Sequence, residues 1–313
     1  MSDAPRLFCL DTLLIDVVLR VGALPERAGD ALASDQLISA GGGFNAMSAA
    51  ARHGLEVIYA GRLGVGPFSS LAETALMHEG VSTPIDRNEG LDTGICVVLV
   101  EPDGERSFVT SPGAEAALRA EDLAKLDVRE GDYVLVSGYN FMHERLANVV
   151  LGWLANLSSG VIVAFDPATR MVDIPPKYLD VALRRCNWLL CNATEARTLA
   201  GSADALASAT LLASRNDSLD VLVRTGAQGC VVALNHEDAR AVEGYKTTVV
   251  DTNGAGDVHN GVFVAELASG HDAWAAARWA NAAAAMAISR LGPATCPLRE
   301  EVTEWIASGG HER

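Results

Sequence analysis

Basic residues are scarce in this chain: 24 Lys and Arg stand against 40 Asp and Glu in 313 residues, a net charge of −16. Binding nucleic acid needs clustered cations to neutralise phosphates, and the cations here are scattered, so no nucleic-acid partner is expected. The six cysteines (Cys9, Cys96, Cys186, Cys191, Cys230 and Cys296) contain no Cys-x-x-Cys pair. Buried free thiols are expected in place of disulfides or a metal site. The histidines lack metal-ligand spacing as well. The most apolar window, 273–288, is alanine-rich and carries Arg278 and Asn281, too short and polar to span a bilayer. Asp11 and Asp16 interrupt the first apolar stretch, so no signal peptide is read. A cytoplasmic protein with no membrane partner is expected. Repeats, low-complexity tracts and long linkers are missing too, and residues 1–313 are read as one domain.

What is present is a 49% hydrophobic composition, sufficient for a large core. Strand-length apolar runs (57–60, 95–101, 133–137, 161–165, 188–191, 221–224 and 230–234) alternate with helix-length segments such as 45–53, 69–79, 144–156, 195–200 and 204–214. Short β-branched runs separated by helices predict an α/β fold with a mostly parallel sheet covered on both faces. Two regions break the rhythm: the first 40 residues and 92–112. The second reads as a hairpin about a Pro102-Asp103-Gly104 turn, and a small lid sheet is expected from about 12–38 and 92–112.

The sharpest local signal is Asp251-Thr-Asn-Gly-Ala-Gly-Asp257, followed by an apolar run to Ala268. A glycine-rich turn at a helix N-terminus offers free N–H groups and a dipole to an anion. An acid on that first turn can take a proton from a hydroxyl attacking a phosphoryl group there. A plain helix cap explains the glycines but not the two acids at fixed spacing. Further upstream, Gly41-Gly42-Gly43-Phe44-Asn45 would let a hydroxylated ligand approach the backbone, with Asn45 as donor and acceptor. Gly41-x-Gly43-x-x-Ala46 also matches a dinucleotide fingerprint formally. Residues 34–40 make a poor strand, however, and the acid expected about 20 residues on is missing.

Asp251–Phe263 resembles the C-terminal signature of the ribokinase-like (PfkB) carbohydrate kinases, and the weaker motifs follow in that family's order from about residue 7 to 300. The resemblance implies a three-layer α/β/α ribokinase-like core with a β-sheet lid. It implies that Asp257 is the catalytic base and that the amides of Gly254, Ala255 and Gly256 form the anion hole. Asp251 would help hold a monovalent cation, K+ among the candidates. Asp16, Gly42, Gly43 and Asn45 would bind the sugar, with Arg170 or Arg106 reaching an anionic substrate or a phosphate. Asn192-Ala-Thr-Glu195 matches an Asn-x-x-Glu motif, which places Asn192 near the ATP phosphates and Glu195 on Mg2+ through water. Arg224, Gly226 and Gly229 would lie along the nucleotide, and Asn281 near adenine.

The expected activity is therefore ATP- and Mg2+-dependent phosphorylation of a sugar or polyol hydroxyl, in a protein that pairs through its lid as a homodimer. Leu14 and Gly42 stand where ribokinases commonly have Asn and Lys, so ribose itself is not the expected substrate. A nucleoside kinase of the same fold and a non-catalytic nucleotide or sugar sensor remain open alternatives.

Overall fold

A computed structural model describes residues 4–235, 237–292 and 294–309; His236, one of the histidines without ligand spacing, lies outside them. The chain opens with β1 (Arg6–Leu10), β2 (Leu13–Val21) and β3 (Ala33–Gly42) and enters α1 (Gly43–Arg52). β4 (Glu56–Tyr59) and α2 (Pro67–His78) precede the hairpin β5 (Ile95–Val100) and β6 (Arg106–Ser111). Then come α3 (Ala120–Leu123), β7 (Tyr133–Ser137), α4 (Glu144–Ala155), β8 (Ile162–Asp166), α5 (Pro176–Arg185) and β9 (Trp188–Asn192). α6 (Ala193–Ala200), α7 (Ala205–Ala213), β10 (Asp220–Arg224), β11 (Gly229–Ala233) and β12 (Arg240–Glu243) follow. The last helices are α8 (Ala255–Ala268), α9 (Ala273–Ala287) and α10 (Arg299–Ala307).

The larger sheet runs β12-β11-β10-β9-β8-β7-β1-β4. β4, β1, β7, β8, β9 and β10 are parallel, and β11 and β12 add on antiparallel. Alternate residues of each strand feed opposite layers. Leu7, Cys9, Val57, Tyr59, Leu135 and Leu190 pack with α1, α8 and α9. Phe8, Leu10, Ile58, Val134, Val136 and Leu189 pack with α4, α5 and α7. This is the expected sandwich of a sheet between two helix layers. All six cysteines are free and buried.

β1, with buried pattern iBBBB, is an interior strand of this sheet. It lies inside the segment that broke the α/β rhythm, where the run Arg6–Leu10 before Asp11 is only five residues long. The second sheet, β3-β2-β5-β6, is the expected lid. Residues 34–40 do form a strand, contrary to expectation. β3 is an edge strand with six exposed residues, so it needs no apolar run to hold its pairing with β2. It is antiparallel to β2 and belongs to the lid, not to a parallel βαβ unit, so the dinucleotide reading still fails.

Candidate active site

Parallel strands present their carboxyl ends along one rim, and ligands of open α/β sheets bind there. Ser137, Asp166, Asn192 and Arg224 each close a strand on that rim, and Asp11 follows the last residue of β1. Across from them, Gly254 adopts φ 73° and caps α8, whose first turn carries Asp257. A side chain at Gly254 would be strained and would also press on Asn45, with its Cβ 2.9 Å from the amide carbon. The start of α8 therefore packs directly on Asn45 of α1.

Asn45, on the first turn of α1, links the two halves. Its Nδ2 donates to Asp257 Oδ2 at 3.2 Å, and its Oδ1 accepts the N–H of Ala294 at 2.9 Å. Burial, reinforced by the neighbouring charges of Asp11 and Asp166, pushes Asp257 up to about 8. Asp11 is raised to about 6, again mainly by burial, while the Thr12 amide and the Ser137 hydroxyl counteract. Both carboxylates are recessed and keep an open edge. A carboxylate of raised pKa is a stronger base once ionised.

Asn192, Glu195 and Arg224, expected beside a nucleotide, form one network. Asn192 caps α6 through its Oδ1, which accepts from the amides of Thr194 and Glu195 at 2.9 Å each. Glu195 answers by accepting from the Asn192 amide at 2.8 Å, a capping box. The Arg224 guanidinium lies 3.2 Å from Asp166 and 3.9 Å from Glu195 and donates to Asn260, which itself donates to Asp166 at 2.6 Å. A Cβ on Gly256 would stand 3.5 Å from Arg224 Nε, so the cation sits against the glycine turn. Among the described residues no three His, Cys, Asp or Glu side chains converge to hold a metal by themselves.

On the lid side, Asp16 is buried, and burial raises it to about 6 against a hydrogen bond from Asn253. A Cβ on Gly41 would lie 2.1 Å from Asp16 Oδ2, so only glycine fits opposite this acid. Gly42 has φ 59° and Gly43 packs on Asp11, 2.6 Å from where its Cβ would be. Leu14, Val18, Cys96, Val98 and Val100 form an apolar patch on the same sheet.

Thus contacts link Gly43 to Asp11, Asn45 to Asp257 and to Gly254, Asn192 through Glu195 to Arg224 and the 254–256 turn, and Asp16 to Asn253. Other candidates are engaged elsewhere. Arg170 is 63% exposed and pairs with Asp173 at 2.8 Å. Asn281 is buried, with its amide donating to the carbonyls of Val242 and Glu243 and its oxygen facing His259 Nε2 at 3.0 Å. Gly226 and Gly229 have φ 66° and 97°; a Cβ on Gly229 would strike the Val242 carbonyl at 2.2 Å, so Gly229 serves strand pairing. Arg106 does not point to a free anion position: it grips Asp251 at 2.5 Å. Sequence reasoning gave no site role to Asp11, Asp166 or Asn260. The first two follow apolar strand runs directly, which is the signal that could have found them.

A mostly parallel sheet with its carboxyl rim covered by a small strand lid is the ribokinase-like fold. The pfkB family carbohydrate kinase profile matches residues 4–300, and the chain belongs to that family. It is 33% identical over 294 residues to the uncharacterized sugar kinase YegV of Escherichia coli K12, covering 92% of this chain and 90% of that one. It is 30% identical over 295 residues to the ATP-dependent ribose-1-phosphate kinase of Halopiger xanaduensis, covering 93% and 95%. The structure of Arabidopsis thaliana ribokinase complexed with ribose and ATP superposes with a TM-score of 0.77 at 24% identity, covering 96% and 98%. The protein is a sugar kinase, a phosphotransferase with an alcohol group as acceptor.

Proposed function

We propose that this kinase moves the γ-phosphoryl group of ATP to an exposed hydroxyl of a sugar or polyol, with Asp257 as the base. One observation carries the reading. A recessed carboxylate with a raised pKa stands on the first turn of α8, beside the amides of Gly254, Ala255 and Gly256, and is tethered to the sugar-side turn by Asn45. A hydroxyl between Asp257 and Asp16 would give its proton to Asp257 as it attacks. The turn amides and Arg224 would take up charge on the transferring group. Asp16 and Asn45 would orient the acceptor through its other hydroxyls.

Asn192 and Glu195 suit the outer shell of a hydrated Mg2+, which prefers oxygen and keeps several waters. Mg2+ bound with ATP supplies charge neutralisation at the β- and γ-oxygens. Asn281 would act by holding the 242–243 backbone that flanks the nucleotide. Arg170 is free to meet an acidic substituent by leaving Asp173. The lid presents Leu37, Ile38, Phe108 and Val109 to solvent, each at least 40% exposed. These two edge strands of the lid suit pairing of two lids into a homodimer, which sedimentation would test: a monomer at assay concentrations rejects it.

Coupled ADP detection over sugars, polyols, sugar phosphates and nucleosides tests the acceptor. ATP turnover stimulated by a sugar or polyol is expected. Stimulation by nucleosides alone would replace the reading with a nucleoside kinase, and nucleotide binding without any turnover would favour a sensor.

A further inference from the structure

The monovalent cation implied at Asp251 does not fit the residues around it. Asp251 Oδ1 accepts the Asn253 amide at 2.9 Å and Arg106 Nη2 at 2.5 Å, and Oδ2 accepts the Gly292 amide at 3.3 Å. The nearby Ile288 carbonyl is taken by the amides of Val250 and Asp251, at 2.8 and 3.1 Å. An alkali cation needs several oxygens with lone pairs directed at one point, as hard cations do. Here both carboxylate oxygens are turned to N–H donors, and a permanent positive charge already occupies the approach.

We infer that Arg106 replaces a free monovalent cation, bracing the 251–257 turn from the lid. This rests on the proposed role of that turn as the anion site. The Arg106 side chain is 25% exposed and that of Asp251 13%, so the pair is shielded enough to matter yet open to exchange. Arg106 opens β6, directly after the hairpin turn, and is paired through Val100 to the rest of the lid. Asp251 fixes the turn through Asn253, whose side chain also bonds the lid's Asp16. The charge that sets the turn is therefore delivered by the lid, and ion concentration does not set it. Arg106 is a positioning residue, since it acts through Asp251.

The test follows hydrogen exchange at the Asn253 and Gly292 amides, both donated to Asp251. It compares chloride salts of K+, Na+ and tetramethylammonium at equal ionic strength. No nucleotide or acceptor is needed, so a failed acceptor panel would leave the result standing. In the unmodified protein the two amides should exchange at the same rate, within about twofold, in all three salts. In Arg106→Ala they should exchange roughly tenfold faster in tetramethylammonium (about the tenfold that 1.4 kcal/mol represents). Arg106→Lys should keep most of the protection in every salt. Faster exchange in the unmodified protein when K+ is withdrawn would overturn the inference. So would unchanged protection in Arg106→Ala, or equal loss in Arg106→Ala and Arg106→Lys, which marks a hydrogen bond of fixed shape in place of a charge.

Discussion

Helix α8 carries two acids to opposite fates. At its first turn Asp257 is raised to about 8, mainly by burial and then by the like charges of Asp11 and Asp166. Two and a half turns on, Glu266 is fully buried yet lowered to about 2. Burial opposes ionisation at both. At Glu266 it is outweighed by His53 at 2.9 Å and Arg299 at 2.9 Å, and His271 Nδ1 also lies 2.9 Å from its second oxygen. Asp257 has one amide donor and a ring of other acids, with Arg224 committed to Asp166, Glu195 and Asn260. The same helix is stapled to α1, α9 and α10 at one end and left unneutralised at the other. Poor electrostatic satisfaction is what a reacting group needs, and full satisfaction is what a structural hub needs.

The comparison breaks most sharply at Asp257. Asp257→Asn is expected to cut kcat by about 10^3- to 10^4-fold while leaving Mg·ADP affinity and the urea midpoint unimpaired; turnover near the parent's would remove it as the base. Glu266→Gln should do the reverse. Leaving Arg299 and the two imidazoles without their acid should cost about 3 kcal/mol or more in urea denaturation, with kcat retained in the folded fraction.

The pH dependences should also slope in opposite directions. Asp257 has a folded pKa above its unfolded value of 3.8, so the stability it contributes is present at low pH and lost as pH rises through about 8. Glu266 has a folded pKa below 4.5, so its contribution is present above that value and lost as pH falls through about 2. Stability scans should accordingly show Asp257→Asn removing a decline between pH 3.8 and about 8, and Glu266→Gln removing one between pH 4.5 and about 2; exchanged effects would invert the comparison. Activity should track the first group: kcat/KM is expected to rise with pH through about 8. In Asp11→Asn that rise should move to lower pH, since one repelling charge is gone, and an unmoved profile would uncouple the pair. The smallest effect expected is at the turn itself. Gly254→Ala forces a side chain into φ 73° and should cost roughly 1–2 kcal/mol, seen as a lower urea midpoint.

What could be read from the sequence follows how far apart the cooperating residues lie. The Asp251–Asp257 turn is local: its acids, glycines and helix are contiguous, so the turn and the helix start were legible at once. The same holds for the Asn192–Glu195 capping box and for the hairpin around Asp103. Asp11, Asp166 and Asp257 are brought together only when β1 and β8 bring their ends to one rim, and no spacing between them announces that. β3 was misjudged because edge strands tolerate polar residues. Asn281 looked like a ligand residue on an alanine-rich helix, and its carbonyl partners at 242 and 243 come from a strand nearly 40 positions away. The pairing of Arg106 with Asp251 spans 145 positions and was equally invisible.

The six buried thiols supply a clock for local and global opening. Burial pushes Cys186, Cys230 and Cys296 up to about 12, so they stay protonated and sluggish toward alkylating reagents while the core is closed. Cys96 alone belongs to the lid patch, under the Thr110 hydroxyl. Its modification rate would report exposure of the lid patch, and that of the other five, all in the main cores, would report the whole fold opening, from one unmutated chain in one mass spectrum.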